Sequence, residues 1–207
     1  MTDPYQWLRS AIARGRLQPD ERLVEADIVR ATGASRTAVR TALVRLAHDG
    51  LVEHERTRGA RVRMVGEAEA VEILQVRAAL EALAARGAAE RTGPGDVDGL
   101  RDILATMRDR LDDGDLLGVS ERNGVLHARI LSLSGHATAA RLVGSLNSQL
   151  VRFQYRTILV PGRAERSYAE HTAIVDAIAA GDPDAAEAAM RSHLAHVADA
   201  LRTAHAG

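Results

Sequence analysis

The stretch SRTAVRTALVRL, residues 35–46, has the pattern of a short amphipathic helix. Its apolar residues recur every three or four positions, so a helix would collect them on one buried stripe. That stripe consists of Val39, Leu43 and Leu46. Arg36 and Arg40 are one turn apart and would project together from the opposite side. The pattern therefore predicts a helix that presents two guanidinium groups on its exposed face.

The segments before this helix predict a helix-turn-helix unit. Residues 4–14 have helical spacing, and a second short helix is predicted from about 25 to 31. Gly33 can adopt the left-handed conformation that a tight connection between helices needs. Ser35 is placed as the N-cap of the next helix, because its hydroxyl can accept from a backbone N–H two or three residues later.

Two short extended runs follow, LVEHE at residues 51–55 and ARVRMV at 60–65, separated by RTRG at 56–59. A basic β-hairpin directly after such a helix is typical of a winged helix, whose arginines can enter the minor groove of DNA. We therefore predict that the helix lies in the major groove and that the hairpin reaches the groove beside it. The predicted DNA contacts are Ser35, Arg36, Thr37, Arg40, Arg56, Arg58 and Gly59.

The composition excludes several classes of protein. The chain has 207 residues, 46% of them hydrophobic, and this is enough for a packed core. It contains no apolar run long enough for a membrane span, and its N-terminus lacks the apolar centre of a signal peptide. We therefore expect a cytoplasmic protein with no membrane partner. The absence of cysteine excludes disulfides and thiolate metal ligands.

Charge is distributed unevenly along the chain. Residues 1–65 contain 12 arginines and 8 acidic residues, a balance of +4, whereas residues 66–207 contain 15 arginines and 20 acidic residues, a balance of −5. This asymmetry favours a DNA-binding domain at 1–65 and a separate sensing or assembly domain at 66–207. Chance variation in surface charge is the alternative explanation.

The second of these domains has a helical pattern throughout. Glycine, proline and aspartate clusters divide it into six segments with the periodicity of helices. The predicted helices span residues 67–91, 96–111, 115–133, 137–159, 163–180 and 183–204. The fold class is therefore mostly α, a winged helix-turn-helix domain followed by an all-α six-helix bundle.

Three histidines and an amide could meet inside this bundle. Asn123 and His127 are four residues apart on one helix face, and His171 and His193 lie at corresponding depths on the last two helices. Neutral imidazole suits zinc, nickel and similar divalent ions. The alternatives are ordinary histidines without a ligand and the site of a metal-dependent hydrolase. An enzyme is disfavoured, because no carboxylate is an evident general base beside the histidines.

The motifs GRLQPDERL, SRTAVR, ALVRLAHDGLV and RGARV resemble the N-terminal domain of GntR-family transcriptional regulators over residues 8–64. Family members usually have Pro at the position of Ala38, Glu at that of Thr41 and a small polar cap at that of Val24. The resemblance implies a winged helix that binds operator DNA.

The motifs VRAALEALAA, NGVLHARI, EHTAIVDAIAAGD and AAMRSHLAHV resemble the FCD effector domain of the FadR branch of that family, and the short six-helix pattern resembles its VanR-like subgroup. Many FCD domains bind a divalent metal through one Asp and three His. The resemblance places these ligands at Asn123, His127, His171 and His193, with Asn123 replacing the usual Asp. Arg77 matches an arginine that could bind an effector carboxylate, although an intrahelical pair with Glu81 is an equal alternative.

These features together predict a regulator that responds to a ligand and is not an enzyme. We expect a homodimer, acting as a repressor, that binds operator DNA with its winged helices and a small organic acid in its helical domain, with a divalent metal involved. A metal-sensing regulator is the main alternative, because the ion itself could be the signal.

Overall fold

The computed structural model describes residues 2–13, 15–55, 59–150, 153 and 157–203 of the chain. Internal contacts divide it into two units. The first comprises residues 1–66 and a short stretch that begins at Asn147, and the second comprises the remaining residues. Within the described ranges, no helix combines the length and the apolar character needed to cross a lipid bilayer.

The first unit is a three-helix domain with a small sheet. Its elements are α1 (Pro4–Ala13), β1 (Arg22–Leu23), α2 (Glu25–Thr32), α3 (Arg36–His48), β2 (Val52–Glu55) and β3 (Gly59–Val62). Gly33 closes α2 at a φ of 70°, and its N–H donates to the Val29 carbonyl. The Ser35 hydroxyl accepts from the backbone N–H of Ala38 at 3.2 Å, which confirms the predicted cap of α3.

The core of this unit includes the apolar stripe of α3. Val39, Leu43 and Leu46 are all buried, together with Leu8 of α1 and Ile28 of α2. Burying several large aliphatic side chains at about 1.5–3 kcal/mol each is the main favourable contribution to folding of such a domain. The predicted amphipathic pattern of α3 is therefore confirmed, and its polar side is left exposed.

The sheet is antiparallel, with the strand order β1-β3-β2. β2 and β3 form the predicted hairpin, in which Glu55 faces Gly59, but β3 ends at Val62 rather than at residue 65. β1 was not predicted, because two residues carry too short a pattern for a strand. It forms only by pairing with β3, where Arg22 faces Arg61.

The second unit is helical. Its described helices are α4 (Glu67–Arg91), α5 (Pro94–Asp112), α6 (Leu116–Leu133), α7 (Ala137–Gln149), α8 (Arg163–Ala179) and α9 (Pro183–Thr203). α9 packs mainly against α4, whose buried face consists largely of alanine, which lets the two helices approach closely.

The predicted continuous helix at 137–159 is interrupted at Leu150. α7 ends at Gln149, and the N–H of Leu150 bonds to the carbonyl of Asn147, three residues back, instead of continuing the α-helical pattern. No glycine or proline marks this end in the sequence. Most of residues 151–159 lie outside the described ranges.

Candidate functional site

Three buried histidines from three helices meet inside the second unit. His127 of α6, His171 of α8 and His193 of α9 are each at most 3% exposed. One ring nitrogen from each lies within 4.8 Å of the others, and Nε2 of His127 and Nε2 of His171 are 3.2 Å apart. The structure therefore brings together the three histidines that the sequence singled out.

Glu81 of α4 fixes the orientation and the proton of His127. Its Oε2 bonds to Nδ1 of His127 through a short contact, and its Oε1 accepts at 2.7 Å from both Nε and Nη2 of Arg77. Burial raises the pKa of Glu81, but the Arg77 guanidinium and the His127 imidazole together outweigh burial and hold the pKa at about 2. An ionised carboxylate can only accept, so Nδ1 of His127 carries a proton, and Nε2 is the ring nitrogen that faces the cluster.

Glu170 of α8 orients His193 in the same way as Glu81 orients His127. Its Oε2 contacts Nδ1 of His193 at 2.7 Å and also accepts from Nη2 of Arg163 at 2.9 Å. Its Oε1 contacts Nδ1 of His196 at 2.9 Å. Two parallel chains, each running from an arginine through a glutamate to a histidine, therefore converge on the cluster. Carboxylates that hold metal-binding histidines in this way set the ring orientation and raise ligand basicity.

The remaining imidazole is held differently. Nδ1 of His171 is buried and has no hydrogen-bond partner in the described part of the chain. Burial, and then the neighbouring imidazoles, lower the pKa of His171 well below its usual range, and burial followed by His127 does the same for His193. Both rings are therefore neutral near pH 7, and this is the form that binds metal ions.

The donor set fits a divalent metal ion. Two nitrogens that bind one zinc at about 2.0–2.1 Å lie about 2.9–3.4 Å apart, depending on the coordination angle. The 3.2 Å between the Nε2 atoms of His127 and His171 falls within this range. Asn123, one turn before His127 on α6, has a buried amide oxygen without a hydrogen-bond partner among the described residues. Imidazole nitrogens and an unsatisfied amide oxygen are suitable ligands for zinc or nickel.

Arg77, the predicted effector residue, is buried and forms the intrahelical pair with Glu81 that the sequence offered as its alternative role. The expectation that no carboxylate lies beside the histidines is wrong, because Glu81 and Glu170 both contact them. Sequence reasoning missed Glu170 and Arg163 altogether. A spacing of seven residues on one helix was the only signal for this pair.

The polar face of α3 is the candidate DNA-binding surface of the first unit. Arg36, Thr37 and Arg40 are exposed along it, next to the Ser35 cap. Nε of Arg40 donates to both carboxylate oxygens of Glu25 on α2, at 3.0 Å each. The two Nη groups of Arg40 have no protein partner among the described residues and remain available for the edge of a base.

The hairpin is only partly described. Gly59 begins β3 at a φ of 91°, in the left-handed region that favours glycine. Arg56 and Arg58, the predicted minor-groove contacts, lie outside the described residues. The strands on either side of them are paired as a wing requires.

Two family models match the chain. The one described as "Bacterial regulatory proteins, gntR family" matches residues 4–62, and the FCD domain matches residues 72–196. The chain belongs to the GntR family. This GntR-family protein is therefore a transcriptional regulator with a DNA-binding domain and an FCD effector domain, and the alternative of a metal-dependent hydrolase is wrong.

Individual relatives agree with this assignment. The GntR regulator is 31% identical to the "HTH-type transcriptional regulator in unstable DNA locus" of Streptomyces ambofaciens over 198 residues, 95% of this chain and 83% of that protein. It is 28% identical to the HTH-type transcriptional repressor GlaR of Escherichia coli, over 99% of this chain and 97% of that protein. The structure of E. coli McbR/YncC has the same fold, with a TM-score of 0.81 at 21% identity, over 97% of this chain and 95% of that chain.

Proposed function

We propose that this regulator is a repressor controlled by a small organic acid, which its FCD domain binds with the help of a divalent metal ion. The observation that supports this most strongly is the convergence of three buried histidines, two of which contact a glutamate that is itself paired with an arginine. The name of the relative GlaR, a repressor, supports the direction of control.

His127, His171 and His193 would hold the metal, zinc or nickel, with Asn123 as a further ligand. A bound divalent ion supplies a positive charge that an effector carboxylate can coordinate. Glu81 and Glu170 orient two of the three imidazole rings for metal binding, because each contacts the Nδ1 of one histidine. An amide at position 123 adds no negative charge, so the loaded site would stay more positive than one with an aspartate there.

On the operator, the exposed face of α3 would lie in the major groove. Arg36 and Arg40 can each form a bidentate contact with guanine, while Ser35 and Thr37 can contact phosphates or base edges. Arg56, Arg58 and Gly59 of the hairpin would reach the adjacent minor groove.

A homodimer would place two such surfaces on a pseudo-palindromic operator. One winged helix makes few phosphate contacts, and pairing two of them doubles these contacts. Val76 and Leu83 leave apolar side chains exposed seven residues apart on one face of α4, as an interface between copies requires. Sedimentation at micromolar concentration is expected to give a dimer, and a monomer would contradict this part of the proposal.

The decisive experiment measures operator binding in three states. DNA sites are first selected from a random pool with metal-free and metal-loaded protein, and fluorescence anisotropy then follows binding without metal, with nickel or zinc, and with metal plus a panel of organic acids. We expect an acid to weaken operator binding at least about tenfold only when metal is present. Unchanged DNA affinity in all three states would contradict control by a ligand.

A second candidate is a metal-sensing regulator. One ring nitrogen from each of the three imidazoles lies within 4.8 Å of the others, so a metal ion alone could complete the site. In the same experiment, a metal sensor would change its DNA affinity when the ion is added and would not respond further to any acid. In both cases, His171→Ala removes one of the three imidazoles and should abolish the response to metal. His136→Ala, which changes an exposed histidine of the same unit, is its matched control.

A further inference from the structure

Arg163 is a buried cation with an unused hydrogen-bond donor. It is the first residue of α8 and is only 3% exposed. Its Nη2 donates to Glu170 at 2.9 Å, whereas its Nη1 is buried without a partner in the described part of the chain. A buried guanidinium is expected to satisfy its N–H groups, so this donor needs an explanation.

The other arginine of the site differs in this respect. Nε and Nη2 of Arg77 both donate to a single oxygen of Glu81, which is one turn away on the same helix. Arg163 uses one arm only, and the oxygen that it contacts is the same Oε2 of Glu170 that contacts His193. The unpaired Nη1 is therefore part of a guanidinium group that is linked to His193 of the cluster through a single oxygen of Glu170.

The charges of the buried groups around the cluster indicate what kind of ligand Nη1 of Arg163 could bind. Arg77 and Arg163 are balanced by Glu81 and Glu170, and imidazoles bind a metal ion in their neutral form. A divalent ion at the cluster would therefore leave a buried charge of about +2, which is unfavourable unless a ligand of opposite charge accompanies it. One carboxylate would offset half of it.

We propose that Arg163 is an anion-binding residue of the effector site and that the effector is a dicarboxylate. One carboxylate coordinates the metal, and the second accepts a hydrogen bond from Nη1 of Arg163. This inference rests on the metal site and the acid effector of the proposed function. It adds a recognition residue and narrows the effector from organic acids in general to those with two carboxylates.

The test compares acids of matched chain length on the full-length protein loaded with nickel. Thermal stability is measured against increasing malonate, succinate or glutarate, and against propionate, butyrate or valerate at equal ionic strength. In the wild type, we expect at least one dicarboxylate to reach half-saturation at a concentration at least about tenfold below that of its monocarboxylate, because it makes one more charge-assisted bond.

Substitutions then assign this preference to Arg163. Arg163→Gln should reduce the preference to less than about threefold, with nickel affinity by calorimetry kept within about threefold. Arg163→Lys keeps the positive charge next to Glu170 but has no second arm, so it should fold and also lose the preference. Arg166→Gln removes an exposed arginine of the same helix and should behave as the wild type.

The outcomes separate this inference from the function on which it rests. If mono- and dicarboxylates bind equally and both alter operator binding, the proposed function stands and the role of Arg163 is wrong. If nickel stabilises the protein but no acid does, both are wrong. A preference that survives in Arg163→Lys, or inorganic phosphate binding as tightly as the preferred dicarboxylate, would also overturn the assignment.

Discussion

The DNA-binding surface and the histidine cluster both pair arginine with glutamate, but water surrounds only one of these pairs. Arg40 on α3 is 69% exposed in its side chain and shares only Nε with Glu25. Arg77 is 9% exposed in its side chain and Glu81 1%. An exposed pair is screened and contributes about 0–1 kcal/mol, so Arg40 can exchange Glu25 for a base at little loss. A buried pair cannot give up one member without leaving a bare charge.

Glu81→Gln is expected to have the largest effect. Arg77 would stay buried and charged without its carboxylate, and removing one partner of a buried ion pair typically lowers the free energy of unfolding by about 3–5 kcal/mol. Urea denaturation of the metal-free protein, followed by circular dichroism, measures this loss. Glu72→Gln, an exposed change on the same helix, should stay within about 0.5 kcal/mol of the wild type. If Glu81→Gln and Glu72→Gln were equally stable, the buried pair of Arg77 and Glu81 would contribute no more to stability than an exposed residue does.

His171→Ala should have the next largest effect, on metal binding. The cluster would keep only two imidazoles, and we expect nickel or zinc affinity to fall by more than about 100-fold, because even residues that merely orient metal ligands contribute about 10–100-fold. Titration calorimetry measures the affinity, with His136→Ala as the control. If His171→Ala binds nickel like the wild type, the metal is not held by this cluster.

Arg40→Ala should change recognition without changing the fold. Loss of a bidentate contact with guanine is expected to reduce the preference for operator over random DNA by about 1–3 kcal/mol. Arg30→Ala removes an exposed arginine of α2 and should weaken binding to both DNAs alike. Anisotropy titrations at one fixed salt concentration separate the two results. An equal loss on both DNAs for Arg40→Ala would mean that it contacts only phosphate.

Glu25→Gln should have the smallest effect. The amide oxygen can still accept from Nε of Arg40, so operator preference should fall by less than about 1 kcal/mol. Loss of a negative charge near the DNA should also raise affinity for random DNA slightly. Asp27→Asn changes a residue of the same helix that is paired with Arg30. It should raise the affinity for random DNA slightly without lowering the operator preference. A loss as large as that of Arg40→Ala would show that Glu25 is not a replaceable surface partner.

The two regions also differ in how far the sequence predicts them. α3, its Ser35 cap and the Gly33 turn depend on residues a few positions apart, so local pattern was sufficient. The convergence of His127, His171 and His193 was predicted as well, because helix lengths and the resemblance to FCD domains place them at similar depths.

What the sequence did not predict depends on contacts between distant segments. β1 exists because Arg22 and Leu23 pair with a strand almost 40 residues later. The position of Glu170 in the sequence does not indicate which histidine it contacts. It contacts His193 on α9 rather than His171, the next residue in the chain, because of how α8 is rotated against α9. Helix rotation is set by packing of the whole core, which the pattern of a single helix does not contain.

The depth of the histidine cluster would also determine how fast a metal ion bound there could leave it. His171 is fully buried and His193 is 2% exposed, so both rings are shielded from solvent. A chelator can then reach the ion only after the helices have separated locally, and the rate of removal is limited by that opening rather than by chelator concentration. Once loaded, such a regulator would keep its metal through many cycles of DNA binding and release.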